Sequence, residues 1–362
     1  MHNDVPLIRI AKRGELMPAR SIWLIRAGSF LLALLFGALI FLALGANPLN
    51  AYKIIIESSL AKASGRRQVV KNMIPLLGTA LALAPCFKMK YWNIGAEGQI
   101  TVGAMAATYF ALFWYTKMPS LPLLLVMALA GALMGGLWSV IPAYFKANYG
   151  TNETLFTLML NYIAIGIVAW LQGGPWEGKP GSQLIPQFDK KAVLPSVMGV
   201  HCGWILVLLL VFVMYVYLKY TKHGYEISVL GESENTARYA GMNVPLVIMR
   251  TAFLSGAICG VVGFMLASGT NSSLNSSIAN GAGFTAITVT WLAQLNPFAM
   301  VFISFLLAVL AKGSGSIYTT LAIPSSISDI ITGIILFCML GCEFFINYEV
   351  HFRHKEKEAD HE

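Results

Sequence analysis

The sequence predicts an all-α, polytopic integral membrane protein with about ten transmembrane helices. Of its 362 residues, 57% are hydrophobic and only 12% are charged, about half the charged share of a soluble domain. Mean hydropathy is +0.67. Apolar stretches approaching the roughly 20 residues needed for a crossing recur along nearly the whole chain.

The N-terminal segment 1–21 carries Arg9, Lys12, Arg13 and Arg20 and precedes an apolar run from Ile22 to Leu44. That run is longer than the ~7–15 residues of a secretory signal core, so it reads as a retained first helix with a cytoplasmic N-terminus. Further spans follow at 72–89, 94–115, 121–142, 154–171, 203–219, 246–268, 282–294, 297–312 and 325–345, so the membrane domain covers 22–345. Segments 282–294 and 297–312 are short. They read as broken or re-entrant helices, which survive only where protein or a cavity satisfies their backbone.

Ten crossings return both termini to the cytoplasm. They also place Lys88, Lys90, Lys146 and the loop 220–245 inside, together with Lys219, Lys222, His223, Arg238 and Arg250. That is the side where lysine and arginine accumulate. Segment 45–71, with Lys53, Lys62, Arg66, Arg67 and Lys71, runs against this bias and is read as an external polar stretch at the interface. The long external loop 172–202 is too rich in glycine and proline for a long helix. The tail 346–362 is charged and cytoplasmic, and its mixed charges from 349 onward predict disorder.

Several classes are disfavoured. The net charge of +8 is spread between apolar runs, so it describes loops and not a nucleic-acid surface. Cys86, Cys259, Cys338 and Cys342 fall in apolar runs and Cys202 borders the external loop. They form neither a disulfide framework nor a zinc spacing. His351 and His354 sit in the charged tail. No Walker motif, nucleophile motif or metal pair appears, so no cofactor, metal or ATP site is expected on this chain. Asp329 lies near a helix start, where the dipole favours it.

Three polar stretches stand out. In "NIGAEGQ", residues 93–99, Asn93 is expected to cap a helix, with Glu97 in its first turns near the free N–H groups. Gly95, Gly98 and Gly103 would let neighbouring backbones approach. On the local reading Glu97 is architectural; on the functional one, Glu97 and Gln99 hold a polar joint at the core. In "TNETLFTLMLNYIA", residues 151–164, Asn152 and Glu153 open an apolar helix and Asn161 sits inside it. Asn161 is read first as a helix–helix hydrogen bond and second as a pathway residue.

The third stretch is "LGESENTARYAGMNV", residues 230–244. Ser233 caps a short helix to Ala240, Glu234 and Arg238 are an i,i+4 pair, Gly241 ends the helix and Pro245 stops its continuation. A connection that builds its own capped helix is more than a linker. "NIGAEGQITV" at 93–102 also resembles "NGAGFTAITV" at 280–289, which suggests an inverted repeat with a pathway between its halves. That makes Asn161, Asn280 and Thr288 candidate pathway residues.

These motifs together resemble the permease subunits of bacterial ABC importers for simple sugars and nucleosides, most closely the nucleoside-type branch. The resemblance runs from about Ala46 to the last span. It departs in the basic, bulky "APCFKMKYW" and the Ser/Asn-rich "NSSLNSSIAN" at 271–280. It implies a type II-like importer permease in the bacterial inner membrane. Its partners would be a cytoplasmic ATPase binding ATP and Mg, an external substrate-binding lipoprotein and a second, related permease chain. The loop carrying Gly231, Glu232, Glu234, Arg238 and Gly241 would couple to the ATPase. The implied solute is a nucleoside, with simple sugars and riboflavin-like compounds as alternatives. An ion-coupled carrier is the alternative class, but it would need intramembrane ionisable groups that the sequence lacks.

Overall fold

The computed structural model describes residues 8–12, 17–321 and 326–352. Strand β1 (Ile8–Lys12) is followed by α1 (Ala19–Ala43), α2 (Pro48–Ile56), a π-helical turn and α3 (Ala63–Lys88). Then come α4 (Ala96–Phe113), α5 (Ser120–Tyr149) and α6 (Glu153–Gln172). The two-residue strands β2 (Ser196–Val197) and β3 (Val200–His201) lead to α7 (Gly203–Tyr220), α8 (Lys222–Glu232) and α9 (Glu234–Tyr239). The chain ends with α10 (Val244–Met265) and its π-helical extension to Asn271, α11 (Ala282–Leu292), α12 (Pro297–Leu321), α13 (Ser326–Asn347) and β4 (Tyr348–Phe352).

A helix underlies each of the ten predicted spans. Among the described residues seven of them, in α1, α3, α5, α6, α7, α10 and α12, are long and apolar enough to cross a membrane. Polar side chains set several starts. Asn47, Asn152, Thr221, Ser233 and Asn243 each accept a first-turn N–H of the helix that follows, as capping chemistry requires. Asp329 falls in the first turn of α13.

Two expectations are corrected. The span 297–312 is not short, because α12 continues through "KGSGS" to Leu321. A side chain at Gly313 would run into the backbone of Ile55 in α2, so glycine here serves packing and does not end the helix. The tail is not wholly irregular. Tyr348–Phe352 pairs antiparallel with Ile8–Lys12, Ile8 opposite Phe352; residues 353–362 lie outside the described residues. The segment 45–71 is largely helical, and α3 begins at Ala63, so Arg66, Arg67 and Lys71 ride on its first turns.

The chain forms two compact units. In the first, made of the N- and C-terminal segments, α1 packs on α13. Tyr52 of α2 donates a 2.6 Å hydrogen bond to the carbonyl of Leu34 in α1.

The second unit, Ser58–Lys312, is organised by a three-helix crossing of α4, α5 and α10. A Cβ at Gly260 of α10 would overlap the carbonyl oxygen of Gly131 in α5, and one at Gly103 of α4 would overlap the Gly260 backbone. Lipid supplies no hydrophobic drive for helices to associate, so close backbone packing must supply the contact. The loop 172–202 has no long helix. It is tied to the serine-rich 268–276 segment: Phe188 N donates to Ser272 O at 2.8 Å, Ser273 Oγ to Ile185 O at 3.0 Å and Ser276 N to Gln172 Oε1 at 3.0 Å.

The crossing makes a prediction. Gly260→Ala should cost about 1–3 kcal/mol of packing free energy and lower the thermal midpoint of the detergent-solubilised protein. Gly166→Ala, where no atom lies within 4 Å of the new methyl group, should not. Equal midpoints for the two variants would contradict the crossing.

Candidate functional site

The backbone between α3 and α4 is unwound from Met89 to Gly95, and its polar groups are taken up by neighbouring helices. Asn93, fully buried, faces Gln99 in a reciprocal amide pair, donating through Nδ2 at 3.3 Å and accepting from Gln99 Nε2 at 3.0 Å. Its Nδ2 also donates to Ser255 Oγ of α10 at 3.2 Å, and its Oδ1 accepts from Gly95 N at 3.0 Å. Asn93 is therefore not the cap residue of α4. Gly95 stands at that position, and Asn93 serves the helix start from two residues upstream.

From α6, Thr157 Oγ1 accepts from Ile94 N at 3.2 Å. Asn161 accepts from Gly98 N at 2.8 Å and donates to Ile94 O at 2.9 Å. Asn161 is 1% exposed, so its amide is committed to the backbone of α4. Gly98 is glycine for the same reason, since a Cβ there would stand 2.8 Å from Asn161 Oδ1.

Glu97 does something the local reading misses. Its carboxylate turns away from its own helix and accepts from Gly281 N at 2.7 Å and Gly283 N at 2.8 Å. These amides open α11, whose first-turn donors have no intrahelical acceptor. A carboxylate satisfies two of them and meets the positive end of the helix dipole. A Cβ at Gly283 would lie 2.8 Å from Glu97 Oε2, so the approach requires glycine. The two similar segments, 93–102 and 280–289, thus meet through the glutamate of one and the leading amides of the other. Asn280 is exposed at φ +47° and Thr288 is half-buried on α11; neither belongs to this set.

The second feature is the connection between α7 and α10. It holds two helices where the sequence suggested one, with α8 preceding the Ser233-capped α9. Ile227, Leu230 and Ala237 are buried in a cluster with Cys86, Met89, Tyr91, Ala143, Val244 and Val247. Gly231 lies against the Lys88 carbonyl, where any Cβ would collide. Glu226 of α8 accepts from Arg250 of α10, and this guanidinium holds the Glu226 carboxyl below the usual carboxylate range.

The outer surface of the connection is polar and open. Glu232 is exposed, Arg238 and Glu234 pair at 2.7 Å with both side chains more than half exposed, and Gly241 adopts φ +76°. Tyr239 is 93% exposed. Pro245 does not stop α9; it occupies the first turn of α10, where a missing N–H costs nothing. Asn152 caps α6 with Oδ1 accepting from Leu155 N at 3.2 Å, and Glu153 pairs with Lys146 at 2.9 Å.

Sequence reasoning missed Thr157, Ser255, the Glu226–Arg250 pair and the amides of Gly281 and Gly283. The last had a signal, because a glycine-rich helix start within an apolar stretch needs an acceptor. Among the described residues no group of three or more His, Cys, Asp or Glu could hold a metal.

A family model described as the branched-chain amino acid transport system permease component matches residues 68–340. The chain is 30% identical over 336 residues to a glucose ABC transporter permease protein of Haloferax volcanii, covering 88% of this chain and 87% of that one. It is 28% identical to a guanosine ABC transporter permease protein of Bacillus subtilis, covering 85% and 90%. It is 26% identical to a nucleoside ABC transporter permease protein of Lactococcus lactis, covering 86% and 88%.

Two expectations follow from the geometry. Glu97→Leu leaves two buried N–H groups without an acceptor, at about 1–3 kcal/mol each, and should sharply reduce folded protein recovered from membranes. Glu97→Gln keeps one acceptor and should fall between Leu and the parent. Recovery of the Leu variant at the parental level would refute the clamp.

The Glu226–Arg250 pair should make docking of α8 pH-dependent. A depressed carboxyl pKa contributes stability above the ordinary carboxylate range, and that stability is lost as pH falls through the lowered value. The protection of α8 amides, taken relative to their intrinsic exchange rates at each pH, should therefore fall at acid pH in the parent. In Glu226→Gln exchange should be fast at neutral pH too, without that acid transition.

Proposed function

Because the chain belongs to the permease-component family of branched-chain amino acid transport systems and is an ABC transporter permease of the simple-sugar and nucleoside type, we propose that it forms an ATP-driven import pathway for a nucleoside. The hydrolysing subunit is a separate ATPase that binds ATP and Mg. A second, related permease chain completes the pathway, and an external lipoprotein delivers the solute. The membrane is the bacterial cytoplasmic membrane, with both termini inside; the pairing of β1 with β4 supports a common side for the two ends.

The docked α8–α9 connection carries the coupling reading. Its inner face is fixed to α3, α5 and α10 by the buried cluster, so a push on its outer face is passed to the helices below. Glu232, Glu234, Arg238 and Gly241 are left on the outer side, which is the part offered to the ATPase.

Segments 93–106, 154–166 and 280–294 form the wall of the pathway. Asn161 supports that wall through the α4 backbone, while Asn280 and Thr288 are the polar groups it leaves free to meet a solute. A neutral, hydrogen-bonding nucleoside needs no fixed charge there, and a shallow site favours release. Two of the three relatives described above are named for guanosine or nucleosides and one for glucose. Uptake of both solutes is therefore the deciding measurement.

In proteoliposomes containing this chain, its ATPase, the second permease and the binding protein, ATP should drive uptake of tritiated guanosine, and glucose should not compete. Gly241→Val places a branched side chain at a left-handed residue, a strain of roughly 1–2 kcal/mol. It should lower substrate-stimulated ATP hydrolysis with normal insertion. Parental stimulation in that variant would remove the connection from the coupling route.

A further inference from the structure

Trp92, in the unwound segment before α4, stacks on Trp291 near the end of α11, with ring centroids 5.3 Å apart and planes at 25°. Phe87 of α3 completes a triad, stacked on Trp291 at 5.5 Å and 22° and tilted against Trp92 at 5.7 Å. Phe87 is buried, whereas Trp92 is 45% exposed. The indole N–H of Trp291 is buried and meets no acceptor.

Two ordinary explanations fit poorly. A tryptophan of the membrane–water belt keeps its N–H in the headgroup region and its ring toward lipid; the Trp291 N–H is shut away from both. Plain core packing does not leave one indole half-exposed and the next with an unsatisfied donor. The long leucine stripe of α5 is of a different kind, although α12 also exposes Phe298, Phe302 and Phe305. The exposed stripe of α5 is aliphatic, through Leu121, Leu125, Leu129, Leu133 and Leu137. The corresponding stripe of α11 is Phe284, Thr288 and Trp291, spaced four and three residues apart and so on one face.

We propose that Trp92 and Trp291 form a stacking platform for the flat heteroaromatic base of the transported solute. The proposal rests on the reading that α11 lines the pathway. A base stacked on an aromatic side chain gains about 1–3 kcal/mol, whereas a sugar has no π-face to offer. A carbonyl oxygen or ring nitrogen of the base is also the acceptor that the Trp291 N–H lacks. Selection of base-bearing solutes over simple sugars is then shared by the permease and does not reside in the delivery protein alone.

The test uses the complete transporter in proteoliposomes, with tritiated guanosine and glucose as probes. Trp92→Phe keeps a ring and should retain most guanosine uptake. Trp92→Leu keeps apolar bulk without a π-face and should lose roughly tenfold. Trp291→Phe keeps an aromatic face but removes the indole N–H and part of the stacking area, so it should raise the guanosine KM with little change in recovered complex. This variant guards against Trp92→Leu failing by misassembly. Parental guanosine kinetics in both Trp92→Leu and Trp291→Phe would overturn the platform. A parent complex that imports glucose but not guanosine would overturn it too, and would leave the permease reading intact. ATP-independent or absent uptake of every solute would instead overturn the permease reading, and the platform with it.

Discussion

The polar joint of the second unit depends on one interaction, the carboxylate of Glu97 against the opening amides of α11. A helix of 11 residues must find acceptors for the amides of its first turn, and a buried one left without an acceptor, as Gly283 N would be, costs free energy. Glu97 meets that demand from another helix, 184 residues away in sequence. Other features follow from it. Gly283 must lack a side chain to admit the carboxylate, and Glu97 must be held in place by a rigid α4. That rigidity comes from Asn93, Gln99, Thr157 and Asn161, whose side chains take up the backbone groups of the unwound segment.

The glycine crossing and the polar joint divide the work. Where α4, α5 and α10 meet at Gly103, Gly131 and Gly260, contact is backbone against backbone. Where α4 meets α6 and α11, contact is through side-chain amides and a carboxylate. The first sort of contact is short-ranged and stiff, and the second is directional. Together they fix both the separation and the rotation of α4. Ser255 links the two regions: it lies next to Gly256, whose Cβ would overlap the Gly135 carbonyl of α5, and accepts from Asn93 of the joint.

Much of this was legible in the sequence. The positions of all ten apolar helices, the capping roles of Asn152 and Ser233, and the left-handed turn at Gly241 follow from composition and local rules. Asn161 was correctly read as a hydrogen-bonding residue between helices. Glu97 was read as serving the start of its own helix, whereas its carboxylate binds the amides of α11; local rules connect a first-turn acid to its own helix and say nothing of a distant one. The end of α12 was misplaced for a similar reason. "KGSGS" has the composition of a loop, and only the presence of Ile55 beside Gly313 shows that small residues there serve packing. The spacing of Gly256 and Gly260 is a visible small-residue pattern, yet the sequence does not say which helices it receives. The Glu226–Arg250 pair joins residues 24 apart across a turn whose path only the structure defines.

The ribbon of β1 and β4 has a topological consequence. Two hydrogen-bonded strands must lie on one side of a membrane, so the chain between Lys12 and Tyr348 traverses it an even number of times. The seven long apolar helices found among the described residues are an odd number. If each of them crosses, at least one of the remaining helices α4, α11 and α13 must cross as well, and the number recruited from those three must be odd. The choices are then one or three, giving a total of eight or ten. Locating a single inter-helix loop, such as the one between α11 and α12, by its accessibility from one side would begin to separate the two totals.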